Sequence, residues 1–176
     1  MRDVSGGRHT SDARGMNDAS DVSGSSDIAT AARVIELLGL TRLEPEGGHL
    51  RQTWRDNASS SIYYLMARPD FSGLHRLSGP EVWAHHLGAP ARMLLIDPDG
   101  LVTEPILGPD LEAGHRPQLV VPAGTWQAAE PLGPWTLVST FMAPPYTDDG
   151  VTFARRDEMA GLHPGHDDRI RRLCRF

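Results

Sequence analysis

Residues 73–88 read GLHRLSGPEVWAHHLG, three histidines and one glutamate within the length of two short strands. Ser78, Gly79 and Pro80 mark the turn between them. In an extended chain alternate side chains share a face. His75 therefore points with Leu77, and beyond the turn Glu81, Trp83 and His85 point together, with His86 on the other side. If the shared face lines a barrel, these groups meet in a pocket. Such a set holds a metal, works as an acid/base pair, or fills a core with its nitrogens satisfied by backbone. The flanking sequence narrows the choice.

On both sides of this stretch lie short runs rich in β-branched and aromatic residues, among them HLRQTWR (49–55), SSIYYLM (60–66), ARMLLID (91–97) and WTLVSTFMAP (135–144). The sequence DPDG at 97–100 is a hairpin turn. No helical period separates the runs, so the spacing predicts an antiparallel sandwich or barrel rather than a parallel sheet. Ahead of them, Asp27 introduces IATAARVIELLGL (28–40), whose apolar residues recur at helical spacing and which Gly39 closes. The segment 155–176 returns to helical composition, interrupted at Pro164. Residues 1–26, rich in Ser, Gly and Asp, are expected to form a disordered tail, leaving one domain over 27–176.

Composition excludes several functions. Of 176 residues 39% are hydrophobic, enough for a sizeable core in one domain. With 23 acidic against 17 basic residues the net charge is −6, which disfavours nucleic acid and anionic membrane as partners. No apolar run has the length of a membrane span. Every basic residue is arginine, so Schiff-base chemistry and a lysine general base are excluded. Acid/base work falls to histidine, carboxylates or tyrosine. The single cysteine, Cys174, and the absence of a signal-like apolar start lead to an expected cytoplasmic location.

From His75 the chain reads His-x-Leu77, three residues, Glu81, six residues, Gly88, and PAGTWQ later places Gln127 three residues after Gly124. These spacings resemble the two cupin motifs, with Leu77 and Gln127 standing where histidines belong. Together with EPEGGHLRQTWR, SSIYYLM, RPQLVVPAGTWQAAEP and STFMAPPY, they resemble the small cupin subfamily catalogued as a domain of unknown function (DUF985), over roughly residues 33–155. The resemblance implies an all-β jelly-roll barrel with an N-terminal helix and a short C-terminal helical segment. It also implies a small-molecule pocket and a homodimer, and it points to Arg51 and Thr53 as ligand contacts.

The expected catalytic set is His75 as base, Glu81 as its hydrogen-bonded partner, and His85 or a tyrosine as the opposing acid. Arg51, Thr53, Trp83, Gln127 and Phe141 are the expected substrate contacts, Arg51 for a ligand carboxylate or phosphate. Of Tyr63 and Tyr64 only one can face the pocket. The favoured reading has no metal and no cofactor: an epimerase, isomerase or lyase acting on a sugar nucleotide or keto compound. Two readings compete with it. One is a metal-dependent dioxygenase or lyase with His75, Glu81 and His85 as a 2-His-1-carboxylate set. The other is a ligand-binding protein without catalysis.

Overall fold

Residues 23–159 and 161–176 are described by the computed structural model. After helix α1 (Ser23–Leu38) come β1 (Thr41–Arg42), β2 (His49–Arg55), β3 (Ser60–Ala67), β4 (Ser72–Leu77), β5 (Glu81–Gly88) and β6 (Ala91–Ile96). The chain continues through β7 (Val102–Thr103), β8 (Ile106–Leu107), β9 (Gln118–Val121), β10 (Trp126–Pro131), β11 (Trp135–Met142) and β12 (Val151–Phe153). It closes with α2 (Arg156–Met159) and α3 (Asp167–Leu173). Two antiparallel six-stranded sheets result. One runs β1-β2-β3-β11-β5-β9, the other β12-β4-β10-β6-β7 with β8 also on β6. This is the expected jelly roll, and the turn at Ser78–Pro80 carries the chain from the second sheet to the first.

Alternation along the strands builds three apolar clusters. Between the sheets, Tyr64, Met66, Trp83, Met93, Ala129 and Val138 pack together, all 1% exposed or less. Outside the first sheet, α1 lays Ala31, Val34, Ile35 and Leu38 over Leu65, Trp135 and Leu137. Outside the second, Ile170, Leu173 and Cys174 cover Leu74, Leu94, Ile96 and Ala128. Each terminal helix buries the apolar outer face of one sheet, so the helices and the barrel depend on each other.

The helix begins at Ser23, ahead of the expected cap at Asp27, so residues 23–26 of the expected tail belong to it. Residues 1–22 lie outside the described residues. At its other end Gly39 takes the left-handed conformation, φ 60°, that lets the chain turn into β1. Among the described residues no helix is long and apolar enough to cross a membrane.

Candidate functional site

Between the sheets, beside the apolar cluster, lies a cavity of about 430 Å³. Leu50, Ile62, Leu77, Met142 and Phe153 give it apolar walls, and Glu46, Tyr64, His75, Glu81 and Trp83 bring chemistry. His75 sits in the middle of β4, paired with Gln127 of β10 on one side and Phe153 of β12 on the other. It is 2% exposed. Its Nδ1 lies 2.8 Å from the Gly73 carbonyl oxygen. A carbonyl only accepts, so Nδ1 carries a proton, and in the neutral form of the ring Nε2 holds the lone pair.

Around Nε2 stand the Gln127 amide nitrogen at 3.3 Å and a Glu46 carboxylate oxygen at 4.0 Å. Glu81 does not pair with His75 directly, contrary to the expectation. The Gln127 amide lies between them, donating to Glu81 Oε2 at 2.6 Å while its other hydrogen faces His75. The Trp83 indole N–H reaches both Glu81 Oε2, at 2.9 Å, and Gln127 Oε1, at 3.0 Å. Gln127 is thereby held on three sides in one orientation. Burial pushes the Glu81 carboxyl above its ordinary range; the Glu46 charge adds to this, while His75 and bonds from Thr140 and Gln127 oppose it. Burial likewise raises the Tyr64 phenol well above its usual value, with Glu46 adding to the effect. The phenol stays protonated and donates to the Gly47 carbonyl at 2.9 Å.

Several sequence expectations are corrected. His85 shares the inward face with Glu81 but lies farther along β5, opposite Val138, and does not line the cavity. Its Nε2 is within 3.2 Å of the Ala89 carbonyl oxygen. Arg51 is exposed and caps α1, donating to the Leu38 carbonyl at 3.0 Å. Thr53 is exposed at a bulge in β2, where the register with β3 slips between Gln52 and Trp54. Phe141 is 43% exposed on the outer face; its neighbours Thr140 and Met142 point inward. Trp83 lines the cavity, Gln127 lies behind it within bonding distance of the Trp83 indole, and Tyr64 rather than Tyr63 faces the cavity.

Sequence reasoning missed Glu46, Gln52, Arg55 and Tyr146, all of which line the cavity. On β2 the inward residues are Leu50 and Gln52 and, after the bulge resets the alternation, Arg55. Glu46 lies in the loop between β1 and β2, where no alternation assigns a direction. Ser72 Oγ donates to its Oε1 at 2.6 Å and helps aim the carboxylate at His75.

The donors present do not fit a transition metal. Leu77 has no lone pair, Gln127 turns its NH₂ toward His75 and Glu81, and His85 is engaged elsewhere. Among the described residues no three His, Cys, Asp or Glu side chains gather where they could hold a metal ion.

A family model described as Cupin superfamily (DUF985) matches residues 32–154. The crystal structure of a protein from Shewanella oneidensis is 30% identical, with a TM-score of 0.77 over 82% of this chain and 96% of that one. A hypothetical protein from Leishmania major is 24% identical, with a TM-score of 0.75 over 82% of this chain and 98% of its own. An oxalate decarboxylase variant from Bacillus subtilis shares the fold alone, at 17% identity and a TM-score of 0.54 over 68% of this chain and 31% of that one. No curated protein matches.

Proposed function

Since the chain belongs to the DUF985 family of the cupin superfamily, we propose that its barrel cavity binds a small polar metabolite and moves a proton on it, as an isomerase, epimerase or lyase does. One observation carries the reading: an imidazole 2% exposed, its tautomer fixed by the Gly73 carbonyl, presents Nε2 between Gln127 and the Glu46 carboxylate. A base so oriented takes a proton from a carbon acidified by a neighbouring carbonyl. The imidazolium that forms is stabilised by Glu46, and Glu81 steadies the site through Gln127. The imidazolium returns the proton to the ligand, while Tyr64, on the opposite sheet, keeps its phenol hydrogen on the Gly47 carbonyl. Arg55, exposed and lining the cavity, takes the role expected of Arg51 and offers a guanidinium to a ligand carboxylate or phosphate. The cytoplasm is the proposed location, consistent with the buried free thiol of Cys174.

The experiment follows the α-protons of small keto acids and sugar nucleotides by proton NMR in D₂O. Wild type is expected to wash out the α-proton of at least one compound, and His75→Asn to slow that exchange by about a hundredfold or more. Undiminished exchange in His75→Asn overturns the assignment. Saturable binding without exchange would make the cavity a binding site only.

A further inference from the structure

The residue that organises the Glu46–His75 pair lies outside the cavity. Arg175, beyond α3, folds back over the start of β4. Its Nε donates to the Glu46 carbonyl at 3.0 Å, its Nη2 donates to the Phe71 carbonyl at 2.6 Å and pairs with Asp70, and its guanidinium lies 3.9 Å from the centre of the Phe71 ring. The Glu46 carbonyl also accepts from the Gly73 N–H at 2.8 Å, and the Gly73 carbonyl is the group that fixes His75 Nδ1. Asp70 in turn accepts from Gly48 N–H at 2.7 Å, at the far end of the same loop. One guanidinium therefore joins the loop that carries Glu46 to the strand that carries His75.

The backbone is shaped to admit it. A Cβ on Gly47, whose φ is 103°, would fall 1.9 Å from Arg175 Nη2, and one on Gly73 would fall 2.6 Å from Arg175 Cγ. Both glycines leave the slot the arginine fills.

We infer that Arg175 is a positioning residue of the site, holding the Glu46 carboxylate beside His75 Nε2. Its catalytic consequence rests on the proton-transfer reading above; the geometry does not. The titratable groups lining the cavity with His75 are Glu44 and Glu46 from the β1–β2 loop, Arg55 of β2, Tyr64 of β3, Glu81 of β5, and Tyr146 and Asp148 ahead of β12, while Gln127 of β10 and Phe153 of β12, its strand partners, are uncharged. Among these titratable groups Arg175 bonds to Glu46, through its backbone carbonyl. A carboxylate beside an imidazole stabilises the imidazolium that proton transfer forms, so releasing Glu46 removes that support from His75.

The test records the NMR ring signals of His75 and of His85, which lies outside the cavity, at one neutral pH in the full chain, as wild type, Glu46→Gln, Arg175→Ala and Arg175→Gln. Each variant is expected to displace the His75 signals, the Arg175 variants in the same direction as Glu46→Gln, and to leave those of His85 in place. Arg175→Gln is the smaller truncation, so the question survives if Arg175→Ala does not fold. Unmoved His75 signals in a folded Arg175 variant, with only a lower melting temperature, would overturn the inference, as would signals of both histidines moving together. No substrate is needed, so this result and the deuterium-exchange result can fail separately.

Discussion

Trp83 and Tyr64 divide the barrel interior into two unlike halves. On one side Met66, Ala91, Met93, Leu107, Ala129 and Val138 form an apolar cluster. On the other, Glu46, His75 and Glu81 line a cavity, with Gln127 bonded to Glu81 behind it. Both halves face inward and come from the same strands. β5 supplies Glu81 to the cavity and His85 to the level of Val138. Facing inward therefore does not make a residue part of the site; depth along the barrel decides, and one inward residue advances about 7 Å beyond the last.

Removing the divider gives the largest expected effect. Trp83 is 1% exposed, packs edge-on to Tyr64 with ring centres 5.9 Å apart, and donates to Glu81 and Gln127. Trp83→Ala should cost about 3–5 kcal/mol in urea unfolding, whereas His85→Ala, losing one partly buried contact to Ala89, should cost about 1 kcal/mol. Similar costs for the two would erase the division.

The outer face of the same sheet offers the next contrast. Trp54, Phe141 and Val120 are 56%, 43% and 59% exposed there, on strands that pair Trp54 with Ser61, Ser61 with Phe141, Phe141 with Val82 and Val82 with Val120. α1 covers only the other end of this face. The proposed partner is a second copy of the chain, as the resemblance implies. Light scattering at micromolar concentration should give the mass of two chains, and Phe141→Asp should weaken the association about tenfold or more. A wild-type mass of one chain would remove the dimer.

A smaller effect carries a sign in pH. Burial raises the Glu81 carboxyl above its ordinary value of 4.5, so the folded protein keeps this proton to higher pH than the unfolded chain. Stability from this group is present below pH 4.5 and is lost as pH rises toward the folded value. The unfolding free energy of Glu81→Gln minus that of wild type should therefore increase from pH 4 to neutrality. A difference that shrinks with pH would show Glu81 to be stabilised as the carboxylate, and a flat one would show that folding favours neither form.

The smallest effect tests the outer side of β5. His86 is exposed and meets Tyr63 edge-on, ring centres 6.1 Å apart. His86→Asn should change unfolding by no more than about 0.5 kcal/mol and leave ligand binding intact.

The jelly roll came from the family resemblance, whereas strand alternation and turn residues were enough to read an antiparallel sandwich or barrel and to put His75, Glu81 and Trp83 on the inward faces of β4 and β5. These follow from local rules: side chains alternate, and apolar faces must be covered. The motif spacing likewise pointed to Gln127. Arg51 and Thr53 failed for a local reason with a tertiary cause. The bulge after Gln52 and the seating of α1 over β3 and β11 set which β2 residues turn inward, and neither is written in the HLRQTWR pattern.

Glu46 and Arg175 belong to the tertiary structure alone. They are 129 residues apart, joined by a side chain bonding to a loop carbonyl. Loops and chain ends have no period from which a direction can be read, and only the closed barrel brings them within bonding distance. The sequence determined which residues face inward on regular strands, because the pleat repeats every two residues. The tertiary structure decided which inward residues meet in the cavity and which carboxylate stands beside His75, because depth, bulges and loop closure are properties of the assembled barrel.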